Sequence, residues 1–167
     1  HAVTVLLMKR SILTEKIARR GHHIVREYRI DPFALTRVSD VMTRDVETVL
    51  SSMTLHEAAR FLADPERRHP SFPVVDDAGK ALGIVDPPSV IRWRRSGKHR
   101  NAPLAELLSP DRLHVAYPDE YLQSVGHRLS EVNLAHLPVV SRGDGALVGY
   151  LGWKDFMRVQ TRLPEEE

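Results

Sequence analysis

Ser71-Phe72-Pro73-Val74-Val75-Asp76 returns as His136-Leu137-Pro138-Val139-Val140-Ser141, and Ala81-Leu82-Gly83-Ile84-Val85 returns as Ala146-Leu147-Val148-Gly149-Tyr150-Leu151. In each copy a short apolar run rich in β-branched residues crosses a turn into a second run, which is how a hairpin of buried strands reads. The turns are Asp77-Ala78-Gly79-Lys80 and Gly143-Asp144-Gly145. The offset from Pro73 to Pro138 is 65 residues. That exceeds solenoid repeats of roughly 20 to 50 residues, so each copy is expected to be a small αβ unit and not one rung of an array.

Working outward, Thr54-Leu55-His56-Glu57 has the form of a capping box, and Leu55, Ala58, Ala59 and Leu62 follow at helical spacing. The second copy places Leu122, Val125, Leu129 and Val132 on one helix face, with Asp119 as the expected cap. The helix faces correspond at an offset of 67, from Leu55 to Leu122, so the first copy carries two extra residues within 63–70, an expected loop insertion. Opening strands are expected at Val46–Val49 and Leu113–Val115. A closing helix is expected to start at Pro87 or Pro88 and carry Val90, Ile91 and Trp93, and another to carry Phe156 and Val159. The order β-α-β-β-α thus recurs. Ahead of it, Ser39-Asp40-Val41-Met42 reads as a short helix, residues 3–20 as a helix ended by Gly21, and 22–33 as a connector.

The 167 residues are 42% hydrophobic and 28% charged, enough to bury an ordinary core. No cysteine is present, which excludes a disulfide framework and cysteine-bound zinc. Twenty-four basic against 22 acidic residues leave a net charge of +2, too balanced to announce nucleic acid. The longest apolar run, Val3 to Met8 with Thr4 inside it, is far short of the roughly 20 residues that span a bilayer, and no signal peptide is expected.

With the repeat, the Pro-Val-Val strands and the glycine motifs set out, residues 38–159 resemble a tandem pair of CBS domains, or Bateman module. The resemblance implies an α+β fold in which two repeats pack about a pseudo-two-fold axis, preceded by an N-terminal helical linker. Two clefts would then be available to adenine nucleotides. The expected division is a linker at 1–37, repeats at 38–95 and 104–160, a basic joint at 96–103 and an acidic tail at 161–167.

The family's nucleotide motif is Gly-h-h-Ser/Thr-x-x-Asp, with the hydroxyl toward phosphate and the carboxylate on ribose. The second repeat reads Gly149-Tyr150-Leu151-Gly152-Trp153-Lys154-Asp155, keeping Asp155 and replacing the hydroxyl residue by Gly152. The first reads Gly83-Ile84-Val85-Asp86-Pro87-Pro88-Ser89, where Asp86 would repel phosphate and two prolines delete N–H donors. The first site is therefore expected to be defective, with Asp86 serving as a helix cap. For the second, the resemblance implies that Asp155 holds ribose, that His114, Val115, His136 and Pro138 border adenine, and that Gly152 and Trp153 adjoin the ligand. An aspartate in a helix's first turn can equally serve the macrodipole alone, His114 and His136 can equally be half-buried residues whose ring nitrogens meet the backbone, and an aromatic such as Trp153 on a packing helix is more often an interface anchor.

Upstream, Lys9-Arg10-Ser11-Ile12-Leu13-Thr14-Glu15-Lys16-Ile17-Ala18-Arg19-Arg20-Gly21 resembles the segment joining the last membrane helix of bacterial ClC-type chloride channels or transporters to their cytoplasmic CBS pair. Basic residues after an apolar fragment also fit a cytoplasmic helix exit. An ordinary amphipathic helix with a basic face is the alternative. The reading that follows is a non-enzymatic regulatory and dimerisation module at the cytoplasmic face of the membrane. It would work as a homodimer beside the transport domain of its parent chain, with no required cofactor and AMP, ADP or ATP as regulatory ligand. The runner-up is an adenine-nucleotide sensor of another protein or one acting alone. The basic run Arg92–Arg100 offers nucleic acid as a third class, which is not expected. Nine histidines without metal-ligand spacing predict no metal site, and no catalytic motif stands out.

Overall fold

The computed structural model describes residues 30–67 and 69–161, and the expected helix over 3–20, most of the connector and the acidic end lie outside the described residues. The chain divides between Pro32 and Phe33, so Phe33 to Arg37, read from sequence as linker, fall within the repeat-bearing unit. Its elements in chain order are α1 (Pro32–Leu35), α2 (Val38–Val41), β1 (Val49–Leu50), α3 (Leu55–Leu62), β2 (Phe72–Val75), β3 (Ala81–Val85), α4 (Pro87–Arg95), α5 (Leu104–Leu107), a 3-10 turn (Pro110–Arg112), α6 (Leu122–Val132), β4 (His136–Val140), β5 (Leu147–Gly152) and α7 (Trp153–Thr161).

The hairpins form in the expected register. Val74 faces Gly83 and Val139 faces Gly149, and each ladder shifts at the following valine. All four residues of β2 are buried, as a continuous apolar run in a covered strand requires. In the first repeat β1 runs parallel to β2 through Val49 and Val74. The second repeat keeps only a single parallel bridge, Ala116 to Val139. The expected strands at Val46–Val49 and Leu113–Val115 are thus corrected to Val49–Leu50 and to that bridge. The chain ahead of Leu113 winds into the 3-10 turn, and Leu113 N–H is spent on the Pro110 carbonyl.

Helix starts follow local chemistry where the cap is local. Thr54 Oγ1 accepts from Glu57 N–H at 3.2 Å, and Glu57 returns the contact to Thr54 N–H at 2.8 Å. Asp119 does not cap α6: the N-cap is Tyr121, and Asp119 pairs with Arg142 at 2.8 Å instead. The N–H of Leu122 goes to the Thr36 carbonyl, a residue far away in sequence.

That bond belongs to an exchange between the repeats. Val38 and Met42 are buried in a core whose other members, among them Leu122, Val125, Leu129, Leu137 and Leu151, come from the second repeat. Conversely, Leu104 and Leu107 complete the core of the first repeat with Leu55, Phe72, Val74 and Val85. Backbone bonds fix both transfers: Val38 N–H to Glu120 and Ser39 N–H to Pro118, then Leu104 N–H to Met53 and Ala105 N–H to Ser51. The hairpin tips are tied as well, through Ala81 N–H to Gly145 and Leu147 N–H to Gly79.

Candidate functional site

Two cavities open between the repeats. Cavity one, about 650 Å³, lies at the start of α7 and draws its walls from both repeats: Thr43 to Glu47 without Arg44, His69 to Phe72, and then Ala135, His136, Tyr150 and the turn Gly152 to Asp155. Its size suits a small-molecule ligand. Cavity two, about 600 Å³, lies beside the start of α4. Ser71, Ala135 and His136 line both, so they form the partition.

The two helix starts use one carboxylate in opposite ways. At α7, Asp155 occupies the third helical position and its Oδ2 accepts from Gly152 N–H at 2.8 Å, while its other oxygen pairs with Arg158. The first-turn N–H groups of Trp153, Lys154 and Asp155 have no acceptor within the helix, as at any helix N-terminus. They stand with the exposed Lys154 ammonium on the cavity wall. At α4, Asp86 is the N-cap and its Oδ1 takes both the N–H and the hydroxyl of Ser89. Because Pro87 and Pro88 have no N–H, the start of α4 is left without a free backbone donor. The cationic side chains lining cavity two are Arg92, Lys98 and Arg112, with the carboxylates of Asp86 and Glu106 opposing them.

The partition is a polar and aromatic stack. His136 lies flat on Tyr150, with centroids 5.4 Å apart and planes inclined by 7°. The Tyr150 hydroxyl shares a 2.6 Å hydrogen bond with Ser71 Oγ, which joins the repeats. Gly152 faces His136 across the hairpin, and a Cβ there would stand 2.8 Å from His136 Cδ2 and 3.1 Å from Nε2. The glycine that replaces a hydroxyl residue is thus the space the imidazole occupies.

Burial pushes the Tyr150 phenol up to about 12, with the Ser71 hydroxyl opposing and Asp86 adding to the shift. A phenol harder to ionise when folded lends stability below its ordinary value near 10, and loses it as pH rises toward 12. In an ultraviolet titration of phenolate absorbance, one of the four tyrosines is therefore expected to ionise late, and Tyr150→Phe to remove that phase. A titration completed by all tyrosines near pH ~10 contradicts it.

Of the residues read from sequence, Gly152, Trp153, Asp155 and His136 line cavity one together. His114 lines cavity two, while Val115 and Pro138 line neither. Trp153 is 45% exposed and tilts against Phe156 at 5.2 Å. Sequence reading missed Thr43, Asp45, Val46, Glu47, His69, Ser71 and the wall role of Tyr150. The offset of 67 that relates the helix faces carries Glu47 onto His114, so the repeat itself holds the signal: the segment bordering each cleft comes from the opposite repeat.

Two repeats exchanging helices around paired clefts define a tandem α+β module. The CBS domain profile matches residues 38–96 and 104–162, and the chain belongs to the CBS domain family as a tandem pair. Among curated proteins it is similar to the homoserine O-acetyltransferases of Methanohalobium evestigatum, 26% identical over 124 residues, and Methanohalophilus mahii, 32% over 114. Those matches take in 74% and 68% of this chain but 24% and 22% of theirs, so the chain spans about a quarter of the length of these relatives. Among solved structures, CBSX2 in complex with AMP is 25% identical with a TM-score of 0.64, over 75% of this chain and 96% of that one. AcuB from Vibrio cholerae is 30% identical at 0.62, over 78% and 93%. The cytosolic domain of the Mg2+ channel MgtE in complex with ATP is 25% identical at 0.60, over 74% and 48%. No helix among the described residues is long and apolar enough to cross a membrane.

Proposed function

We propose that this CBS pair is a regulatory, non-catalytic module that senses adenine nucleotides in cavity one. The observation that carries this reading is the joining of the aromatic rings of Tyr150 and Trp153 to the start of α7, whose first-turn N–H groups have no acceptor within the helix and stand with Lys154. Flat rings suit a purine, and oriented N–H groups with a cation suit a phosphate. The AMP and ATP complexes of CBSX2 and MgtE support the same ligand class. Cavity two, whose helix start has no free donor, contributes little to nucleotide binding. The ligand acts by favouring one arrangement of the module over another, and shifts its partner only by that difference in affinity. The stretch Lys9–Gly21 supports a ClC-type parent, in which a homodimer of this module would sit at the cytoplasmic face beside the transport domain.

Calorimetric titration with AMP, ADP and ATP tests the sensor. One saturable site per chain is expected, with stability rising by about 2.7 kcal/mol at 100 times the dissociation constant. Lys154→Ala, an exposed change, should weaken AMP several-fold while leaving the melting temperature in place. Asp155→Ala should lose both affinity and stability, since Gly152 N–H and Arg158 lose their acceptor. Absence of any heat up to millimolar nucleotide overturns the sensor reading.

A further inference from the structure

A side chain at position 152 would enter cavity one beside the first turn of α7. Position 152 has none, and the His136 imidazole rests there, 2.8 to 3.1 Å from where the Cβ would be. Its orientation is held by the stack on Tyr150, which the bond to Ser71 holds in turn. The ring therefore borders the same corner as the free N–H groups and Lys154, where a ligand's phosphate would meet the helix start. We propose that His136 is the phosphate-sensing residue of cavity one, so that its protonation couples binding of a nucleotide, but not of the bare nucleoside, to pH. This rests on the adenine-nucleotide reading of the site.

The groups around the ring set the balance. Burial disfavours the imidazolium, and Asp155 from the start of α7 opposes it. Lys154 on the same turn and His69 ahead of β2 work with burial, and Asp86 ahead of α4 works with Asp155. Tyr150 on β5 stays neutral beside the ring. Burial prevails, so the unliganded ring is neutral at neutral pH and its proton affinity lies below the ordinary histidine value. A phosphate placed at the helix start brings negative charge to the same corner and favours the imidazolium, whereas adenosine brings none. By linkage, the ligand that raises the ring's proton affinity binds more tightly where the ring is protonated, so AMP affinity gains from His136 as pH falls through the histidine range. The phosphate's own second protonation, near pH ~6, works the other way. Comparison with His136→Gln removes that contribution, because both proteins meet the same ligand.

The test titrates AMP and adenosine into the protein and into His136→Gln from about pH 8 to about pH 5.5. The ratio of wild-type to variant AMP affinity is expected to rise about tenfold on acidification, the scale of a charge-assisted over a neutral hydrogen bond. The same ratio for adenosine should stay flat. In parallel, the imidazole titration of the wild-type protein is followed by NMR, with His136 assigned by the signal missing from the variant. Saturating AMP should move its midpoint upward, and saturating adenosine should not. Binding of AMP with an unmoved His136 midpoint and a flat ratio overturns the assignment and leaves the sensor reading standing. Failure of AMP and adenosine alike to bind removes the sensor reading, and the assignment with it.

Discussion

Phe72→Ala is expected to cost about 3 to 5 kcal/mol of folding stability, enough to lower the melting temperature by roughly 10 °C or more. Phe72 is 1% exposed and among the largest fully buried side chains. Its ring meets Phe61 edge-on at 4.9 Å with planes inclined by 83°, so truncation removes an aromatic pair as well as apolar area. The cavity left behind cannot close easily. The Phe72 backbone is held in β2 by pairing with Val85 of β3, and the residue borders cavity one. On the proposed sensor reading, nucleotide affinity should fall together with stability. Phe72→Leu, which retains most of the volume, should cost about 1 kcal/mol. Chemical denaturation of the three proteins checks the order, and an Ala variant no weaker than the Leu variant contradicts the packing argument.

Gly149→Val is the second large effect, about 3 kcal/mol or more through overpacking. A Cβ at 149 would lie 2.6 Å from Met42 Sδ and 3.0 Å from the Thr43 carbonyl oxygen. The methionine can shift, but the carbonyl cannot retreat. It accepts from Tyr150 N–H at 2.9 Å, and Thr43 N–H donates back to the Tyr150 carbonyl at the same length. Gly83 is the built-in control, because it holds the matching position of the first repeat opposite Val74. There the nearest atoms to a Cβ all belong to the Leu108 side chain, beginning with Cδ2 at 2.7 Å. Gly83→Ala should cost under about 1 kcal/mol and Gly149→Ala clearly more, a contrast that melting curves resolve directly. Equal losses at the two glycines would mean that the Thr43 carbonyl is not the obstacle.

What could be read from the sequence was whatever its neighbours in the chain determine. The Pro-Val-Val hairpins are continuous apolar runs across short turns, and Thr54 with Glu57 closes a box within four residues, so both followed from local chemistry. Asp119 was misread for the complementary reason. A carboxylate shortly before an apolar helical face looks like a cap, yet the start of α6 is set by the distant Thr36 carbonyl and Asp119 finds Arg142. The same limit governed the candidate site. Gly152, Trp153 and Asp155 belong to one turn, and His136 pairs with Gly152 across a hairpin, so all four came together. The family resemblance set His114 beside Asp155, within one repeat. Because the repeats exchange their leading segments, residues from Thr43 to Glu47 border Asp155 and His114 borders the other cleft. A pattern of periods and motifs within one repeat does not state which copy supplies a wall.

That exchange also sets the order in which the molecule can be made. When a ribosome has finished the first repeat, its core still lacks Leu104 and Leu107, so the nascent first half waits with one side open until α5 has left the exit tunnel. The second half meets no such delay, since Val38 and Met42 were synthesised long before it. Synthesis from the N-terminus therefore completes the first core only once the second repeat has begun to emerge, and the second core closes last, on a segment that was made first.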